Sequence, residues 1–559
     1  MEFPRSKTFT WRSKYEIRDT LMKTTIRVGR EDISIEENIL DKAIRYINPI
    51  KANKRFRSRV SMALAGAYIG ASTTRRQTLL WRTSGGDPDS DTLPDLPRLR
   101  ERSRDLVRNT PLATGAINTT VTNVVGTGLK LQSRLDRNIL NLTEDQADDW
   151  ESKTEREFRL WAESQECDAA RTQNFSAIQE LVFRQALENG DIFINLPHFE
   201  RADFPYTLKL QLIEADRVCN EGFKQNSPTL SGGVEKDEYG APINYHILKQ
   251  HPGNTYAKAR EWVTVPAFGE RTGLRNIIHL YRIIRPGQTR GVPYLAPVIE
   301  SLKQIDKYTE SELMATVVSS MLTVFIKTET GELDFDTSNT ADETLSKSSD
   351  KDMKLGSGAI IGLAPNESVD LVNPLRPNTG FDEFVTSILR QIGVALELPF
   401  EILIKHFTAS YSAARAALLE AWKFFNSRRQ WLAQNFCQIV YEIWLYEAVA
   451  TGRISAPGYF NDPIIRKAYS GSEWVGPAKG MIDELKEVKA AQERIKEGIS
   501  TLSEVTAEMT GGDWEKKHPQ SVKEHNMRKE AGLLEDKKDS GQAGMTNKKD
   551  DDNSDLEEQ

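Results

Sequence analysis

Residues 410–422 read SYSAARAALLEAW and open a run rich in alanine, leucine and aromatic residues. From 412 to 451 the chain contains neither proline nor glycine. The pattern predicts one helix of about 40 residues, roughly 60 Å long, with Ser412 as its N-cap. Because compact enzyme domains rarely need helices of this length, the segment indicates a mainly helical, elongated building block.

The flanking sequence predicts an α+β protein. Residues 98–125 show helical spacing interrupted at Pro111, and Thr143 begins another capped helix. Between 191 and 281, short alternating runs separated by turns predict a β-rich module. Helices are predicted at 297–328, 381–398 and 481–509. Between the first two, the sequence predicts a polar loop at 328–354 and short strands at 359–363 and 368–371.

The composition excludes several classes of protein. The chain has 559 residues, 38% of them hydrophobic, with a net charge of −7 and three cysteines. Three widely spaced cysteines exclude a disulfide scaffold, and the near-neutral balance argues against a protein wrapped along nucleic acid. No segment resembles a signal peptide or a membrane span, so we expect no membrane partner.

The average charge hides two unlike ends. Residues 1–100 carry 20 Lys and Arg against 12 Asp and Glu, while residues 535–559 carry nine acids against four lysines. Charge blocks of this kind are typical of solvated tails, and the basic one is also compatible with an electrostatic docking arm. We therefore expect a partly flexible basic arm over residues 1–100 and a disordered acidic tail over 535–559.

Motifs for catalysis are missing. Gly126 and Gly128 do not belong to a GxxxxGK(S/T) frame, and the predicted helix precedes them instead of following them. Neither GxSxG nor HExxH occurs, and the seven histidines show no metal-ligand spacing. The sequence predicts no enzyme, no catalytic residue, no cofactor and no metal site.

Four motifs resemble one known family. LVRNTPLATGAIN at residues 106–118, RPGQTRGVPY at 285–294, SYSAARAALLEAW at 410–422 with Arg428 and Arg429, and WVG at 474–476 with its downstream helix occur in that order. Together they resemble the portal proteins of lambda-type tailed phages over about residues 100–535. The first hundred residues and the acidic tail lie outside the resemblance.

The resemblance implies a function without catalysis. Portal proteins of this family form a ring, usually of twelve subunits, at one capsid vertex of the virion, and double-stranded DNA enters and leaves through it. The implied partners are the terminase large subunit, which is the separate ATPase, the major capsid or scaffold protein and a head-completion or connector protein. Assembly in the bacterial host cytoplasm is implied as well.

The resemblance also implies an architecture of wing, stem, clip and crown. We expect an α+β wing at 101–296, a first stem helix at 297–324, a clip at 325–376, a second stem helix at 377–398, a tunnel loop at 399–411, a wing spine helix and return at 412–480, and a crown region at 481–534.

Two sets of residues are candidates for contact with DNA. The resemblance places the tunnel loop towards the channel, with Lys405 and His406 as phosphate contacts and Phe407 and Tyr411 as bracing or DNA-contacting rings; the alternative is an ordinary connector. A channel that passes DNA both ways should not grip it, so acidic residues of the first stem helix are lining candidates. They are Glu300, Asp306, Glu310 and Glu312, which as an alternative pair with Lys303 and Lys307 on a solvated face.

Two other functions remain compatible with the residues. One is a metal-dependent nuclease that uses an unrecognised carboxylate cluster. The other is a non-ring capsid adaptor or scaffold that binds through its basic arm. Size distinguishes them from a ring, because closed cyclic assemblies are large and bury apolar helices between copies.

Overall fold

A computed structural model describes residues 23–28, 31–36, 39–64, 76–78, 80, 81, 83, 85–256, 260–320, 324–328, 367–371, 380–407, 410–480, 483–531 and 533. The chain divides into two compact units, Met1–Gly85 and Gly86–Gln559. The first unit ends before residue 100, where the sequence placed the end of the basic arm. None of the described helices has the length and apolar character that a bilayer span requires.

The first unit contains a β-hairpin and two helices. Strands β1 (Lys23–Val28) and β2 (Glu31–Glu36) pair antiparallel, and they precede α1 (Ile39–Ile47) and α2 (Pro49–Leu64). Helix α2 contains the basic run of residues 51–59. Part of the predicted basic arm therefore has regular secondary structure.

The second unit opens with helices in a tight succession: α3 (Pro88–Thr92), α4 (Leu96–Asn109) and α5 (Pro111–Val124). The predicted interruption at Pro111 is confirmed. Gly126 and Gly128 both have positive φ angles, 56° and 98°, which glycine adopts without steric cost. They end α5 and lead into β3 (Lys130–Ser133).

Three helices follow β3: α6 (Arg137–Leu140), α7 (Glu144–Glu163) and α8 (Phe175–Asn189). Thr143 and Gln146 form a reciprocal capping box at the start of α7, as the sequence predicted. Gly190, at a φ of 89°, ends α8. The local sequence signals were therefore sufficient to predict the start of α7 and the end of α8.

The β-rich module consists of two antiparallel sheets. One has the order β10-β4-β5 and the other β6-β7-β8-β9. Its strands are β4 (Asp191–Asn195), β5 (Gln211–Ile213), β6 (Leu230–Ser231), β7 (Val234–Lys236), β8 (Pro242–Leu248), β9 (Trp262–Pro266) and β10 (Ile277–Tyr281). A small core that includes Phe193, Val234 and Tyr245 joins the two sheets.

The first helix of the predicted stem and clip region is shorter than expected. Helix α9 spans Ile299–Ser320, and residue 324 already belongs to β11 (Val324–Thr328), which pairs antiparallel with β12 (Glu367–Leu371). The first helix therefore does not reach residue 324. The polar loop at 328–354 and the strand predicted at 359–363 fall almost entirely outside the described residues.

Two helices connect this region to the long spine. Helix α10 (Phe381–Ala395) confirms the predicted helix, although it ends before residue 398. A five-residue helix, α11 (Phe400–Ile404), lies within the segment 399–411, which was expected to be a loop throughout. That expectation was wrong because burial of Ile402 and Leu403 favours a helical turn there.

The predicted 40-residue helix is present in three continuous parts: α12 (Tyr411–Leu432), a π-helical turn (Ala433–Cys437) and α13 (Gln438–Ala450). Its N-cap is Ser410, not Ser412. Buried rings of α13 pack against α7 and α8 in the main core. Phe158 of α7 contacts five aromatic rings, two of them from α13, at centroid distances from 5.0 to 6.0 Å: Trp161, Phe175, Tyr441, Trp444 and Trp474.

The C-terminal region contains more breaks than the sequence suggested. It comprises α14 (Pro463–Tyr469), β13 (Ser472–Val475), which pairs with β3, and helices α15 (Glu484–Lys496), α16 (Leu502–Thr510) and α17 (Trp514–Glu530). The single helix predicted at 481–509 is wrong. Gly498, at a φ of 71°, and a capping box from Thr501 to Glu504 divide it.

Candidate functional site

The turn between α10 and α11 is unusually tight. Glu397 has a φ of 55°, and the Leu398 amide donates to the Gly393 oxygen over 2.9 Å. A Cβ on Gly393 would lie 2.6 Å from the Leu398 oxygen, so only glycine permits this approach. The turn therefore sets the direction in which α11 leaves α10.

Helix α11 is held by its apolar face. Ile402 and Leu403 are buried in the main core, while Lys405 adopts a left-handed conformation and ends the helix. The His406 amide donates to the Glu401 oxygen over 3.1 Å. Because the inward face is occupied by Ile402 and Leu403, the residues that follow are turned towards solvent.

The structure brings three of the four predicted tunnel-loop residues together on the surface. Lys405, His406 and Phe407 are consecutive and exposed, and 55% of Phe407 is accessible. The expectation of an inward-packed Phe407, as in an ordinary connector, does not fit this exposure. Tyr411 begins α12, but its side chain lies outside the described part.

Arg429 anchors α12 to the end of α5. Its Nη2 donates to the Asn123 oxygen over 2.9 Å and its Nε to the Val124 oxygen over 3.1 Å. Carbonyls at a helix C-terminus lack intrahelical donors and attract positive charge, which explains the placement. Burial lowers the pKa of Arg429 to about 10.

The neighbouring arginine anchors α12 to the turn after α10. Arg428 donates to Glu397 over 3.2 Å and lies over the Phe424 ring, 4.9 Å from its centroid. The Tyr294 hydroxyl donates to the Leu396 oxygen in the same turn. The sequence analysis included both arginines and the segment containing Tyr294 in the family motifs, but it predicted no role for them. The signal that could have pointed to such a role was the presence of two adjacent arginines on a long helix.

The acidic candidates on α9 do not share one face. At about 100° per residue, Glu300, Asp306 and Glu310 fall within one arc, whereas Glu312 lies on the side of Tyr308. Tyr308 stacks on Phe381 of α10, with ring centroids 5.4 Å apart. Glu300 and Glu310 are exposed, while Asp306 and Glu312 are half-buried.

Local partners compensate some of these acids. The Nζ of Lys303 lies 3.5 Å from a carboxylate oxygen of Asp306. For Asp306, this contact supports the alternative that the acid pairs with a lysine on a solvated face. Gln304 donates to Glu300 over 3.1 Å, a contact that leaves the negative charge of Glu300 in place. Glu300 and Glu310 are therefore the exposed members of the four acidic candidates.

The motif at residues 285–294 surrounds a buried ion network. Asp191 is fully buried and contacts Arg100 at 2.6 Å and Arg290 at 2.5 Å. Burial alone raises the pKa of Asp191, but the two guanidinium charges outweigh it and hold the pKa well below its usual range. His279 lies 3.2 Å away, and burial lowers its pKa to about 4.

Comparison with known proteins identifies the family. The family model described as phage portal protein, lambda family, matches residues 74–429. The chain belongs to this family. It is 27% identical over 496 residues to portal protein B of Escherichia phage lambda and 27% over 491 to the portal protein of Escherichia phage N15; each alignment covers 84% of this chain and 91% of the relative.

One further relative and one solved structure are more distant. A probable portal protein of Halomonas phage phiHAP-1 is 23% identical over 447 residues, covering 78% of this chain and 81% of that protein. A solved neck of a native gene transfer agent particle, computed with C12 symmetry, has a TM-score of 0.38 at 13% identity, covering 74% of this chain and 92% of the other. That score is too low to carry an argument about the fold.

Family membership confirms the role expected from the motifs. The chain is a structural portal component of the phage virion, located at the capsid, and serves genome packaging and ejection; it is not an enzyme. The mainly helical α+β fold class is confirmed as well. Membership in the lambda family accounts for the shared motifs within residues 74–429.

One acidic cluster in this portal protein has ligand atoms close enough for a metal ion. Glu214, Asp216 and His251 place one ligand atom each within 4.8 Å of one another. However, Arg104 forms ion pairs with both carboxylates, at 2.7 Å to Glu214, and Arg100 lies 3.4 Å from Asp216. Because arginine already neutralises these acids, the cluster does not support the alternative of a metal-dependent nuclease.

Proposed function

We propose that this portal protein assembles into a closed ring of twelve subunits whose central channel passes double-stranded DNA. The observation that carries the proposal is the family match over residues 74–429, which includes the motifs at 106–118, 285–294 and 410–422. In a cyclic ring every subunit presents the same surfaces to its two neighbours.

The segments take the roles that the family implies. Residues 101–296 form the wing, α9 and α10 form the stem, residues 325–376 form the clip, residues 412–480 form the wing spine and return, and residues 481–534 form the crown. Pairing of β11 with β12 supports a clip inserted between the stem helices, because this ladder returns the chain from the end of α9 towards α10.

The exposed turn after α11 faces the DNA in this arrangement. Lys405 and His406 contact phosphates, and Phe407 and Tyr411 brace the loop or contact the duplex. Support comes from the contrast between the buried Ile402 and the exposed residues that follow it. A side chain held at the surface by a buried neighbour keeps its position while DNA moves past.

An acidic surface keeps the DNA mobile. Glu300 and Glu310 of α9 line the channel, and the half-buried Asp306, which pairs with Lys303, contributes less. Glu312 lies on the Tyr308 side of the helix and does not face the channel. Affinity for DNA rises with each phosphate that a protein neutralises, so a sparse set of cations facing an acidic surface permits sliding.

Exposed apolar residues on the two stem helices supply the contacts between subunits. Leu313, Met314 and Val317 of α9 are exposed, as are Phe384 and Val394 of α10. Large apolar side chains that remain accessible within one chain are typical of surfaces buried on assembly. In the ring, these side chains pack against the adjacent subunit. On α9 they lie on the same side as Glu310 but nearer the C-terminal end, so the acidic part of that side lines the channel and the apolar part meets the neighbour.

The remaining partners follow from the same role. The ring docks the terminase large subunit, the major capsid or scaffold protein and a head-completion or connector protein, and it assembles in the bacterial host cytoplasm. No membrane takes part.

Mass and shape test the ring. Twelve chains of 63.2 kDa give about 760 kDa by light scattering, and negative-stain images should show end-on rings with a central hole. Leu313→Glu is expected to abolish the rings, whereas Gln304→Glu, on the exposed side of the same helix, should leave them intact. A chain that stays monomeric at every salt concentration would overturn the proposal.

A further inference from the structure

A groove of about 350 Å³ lies beside the exposed turn after α11. We call it the α12 groove. Its apolar floor is formed by Leu418, Leu419 and Trp422 of α12, and Phe407 lies at its edge. Its rim includes Lys405, Arg415 and Lys479, which come from three different segments of the chain.

The rim cations form no close ion pairs in the described part of the chain, although Arg415 interacts electrostatically with Asp483. Within the described residues, no carboxylate oxygen lies within 4 Å of Lys405, Arg415 or Lys479. Glu487 is the acidic residue among the lining side chains, and Asp483 pairs with Lys486 at 2.9 Å. The groove thus combines an apolar floor with an excess of positive charge.

This combination suits a peptide better than a duplex. A volume of about 350 Å³ is at the lower end of the range for small-ligand pockets, about 300–1,000 Å³, and admits a few side chains at most. Naked phosphates would gain nothing from the floor formed by Leu418 and Trp422. A segment with one apolar residue among acids would use both features.

We propose that residues 550–559 of the same chain, DDDNSDLEEQ, bind in the α12 groove. The segment has six acids, no base, and Leu556 as its large apolar residue. Leu556 rests on the floor, and the flanking acids pair with Lys405, Arg415 and Lys479. The described residues end at Leu533, and the 23 residues from there to Leu556 span up to about 75 Å when fully extended.

The bound segment covers Lys405 and so competes with DNA for it. This consequence rests on the proposed channel role, whereas binding of the segment does not. In the assembled ring, Lys405, Arg415 and Lys479 would then be exposed only when DNA displaces the acidic segment.

Crosslinking in the full chain tests the binding. A photoreactive amino acid at position 556 should form crosslinks to residues 415–422 and 479–487 that migrate as a single chain on a denaturing gel. The double variant Arg415→Glu/Lys479→Glu should lower the yield about tenfold, because each lost surface pair costs a few-fold in affinity. Lys423→Glu, an exposed change on the same helix, should leave the yield unchanged.

The apolar contact has a separate test. Leu556→Ser in the full chain should raise amide hydrogen exchange in residues 415–422 about tenfold, because burial of one leucine contributes that much or more. Crosslinks to the basic run at 51–59, or between two chains, would overturn the proposal. So would groove amides that are protected by added duplex DNA but unaffected by Leu556→Ser. Because crosslinks are mapped on a single chain, the result is independent of whether rings form.

Discussion

The Nη2 of Arg429 donates to the main-chain oxygen of Asn123 over 2.9 Å and thereby joins the long spine to a helix end some 300 residues earlier. The Nε of the same side chain donates to the Val124 oxygen, so one guanidinium satisfies two carbonyls. A Cβ on Gly476 would collide with Arg429, which leaves this site open only to glycine. The arginine is thus enclosed by three segments that are far apart in sequence.

Loss of this arginine should destabilise the second unit. Arg429→Ala leaves two helix-terminal carbonyls without donors, and we expect the free energy of unfolding to fall by about 2–4 kcal/mol. Arg429→Lys should recover part of the loss. Urea unfolding measures both; Lys423→Ala is the matched control, because its exposed pair with Glu420 contributes no more than about 0.5 kcal/mol.

Neutralising Asp191 should lower the free energy of unfolding more than Arg429→Ala does. Asp191→Asn leaves the buried Arg290 without a counter-ion and Arg100 with Asp216 alone, and breaking a buried pair in this way typically costs about 3–5 kcal/mol. An exposed acid at the start of α4, Asp95, makes no side-chain capping bond, so Asp95→Asn is the control and should change the unfolding free energy little.

The pH dependence of the Asp191 network has a definite sign. The native pKa lies well below the unfolded value of 3.8, so the stabilisation is present above about pH 4 and is lost as the pH falls towards the native pKa. The parent protein should therefore lose stability on acidification below pH 4, and Asp191→Asn should lose less over the same range. An identical acid profile for both proteins would contradict the assignment.

Glu151 should make stability depend on pH in the opposite direction to Asp191. Burial raises its pKa to about 7, although its carboxylate accepts from the Leu135 amide at 2.8 Å. The native state therefore binds this proton more tightly than the unfolded state, and stability falls as the pH rises from about 4.5 to about 7.

Glu151→Gln keeps the acceptor and removes the charge. At pH 8 we expect it to be more stable than the parent by about 1 kcal/mol, a value reduced because solvent still reaches the carboxylate. At pH 4 the two should be equal. Thermal unfolding at both pH values checks this, and Glu473→Gln, an exposed acid near the same Arg134, should follow the parent.

Reversing the charge on the exposed face of α9 should make the portal hold DNA. In Glu300→Lys or Glu310→Lys, each cation that meets a phosphate steepens the dependence of log affinity on log salt by about 0.9. DNA binding measured across a salt series detects this change. Glu312→Lys, on the Tyr308 side of the helix, should leave the slope close to that of the parent.

Local signals predicted most element boundaries correctly. Thr143 with Gln146 and the glycines at 126, 128 and 190 act within a few residues, so the helix ends that they define could be recognised from the chain alone. Gly498 acts just as locally, but the apolar pattern on either side continued across it and suggested one helix. Helix α11 was missed because five residues are too few to show a helical pattern. The burial of Ile402 and Leu403, which stabilises the helix, is known only from the folded core.

The candidate site divides in the same way. The resemblance to the portal family, the order of its motifs and the choice of Lys405, His406 and Phe407 as candidates follow from the chain, because each depends on residues close together in it. The exposure of these three side chains depended on the fold, which buries Ile402 and Leu403. Which acids of α9 share a face, and what Arg428 and Arg429 bind, depended on the fold. Their partners are carbonyls, rings and a carboxylate from distant segments, and hydrogen bonds or burial form only when packing brings those groups within a few ångströms.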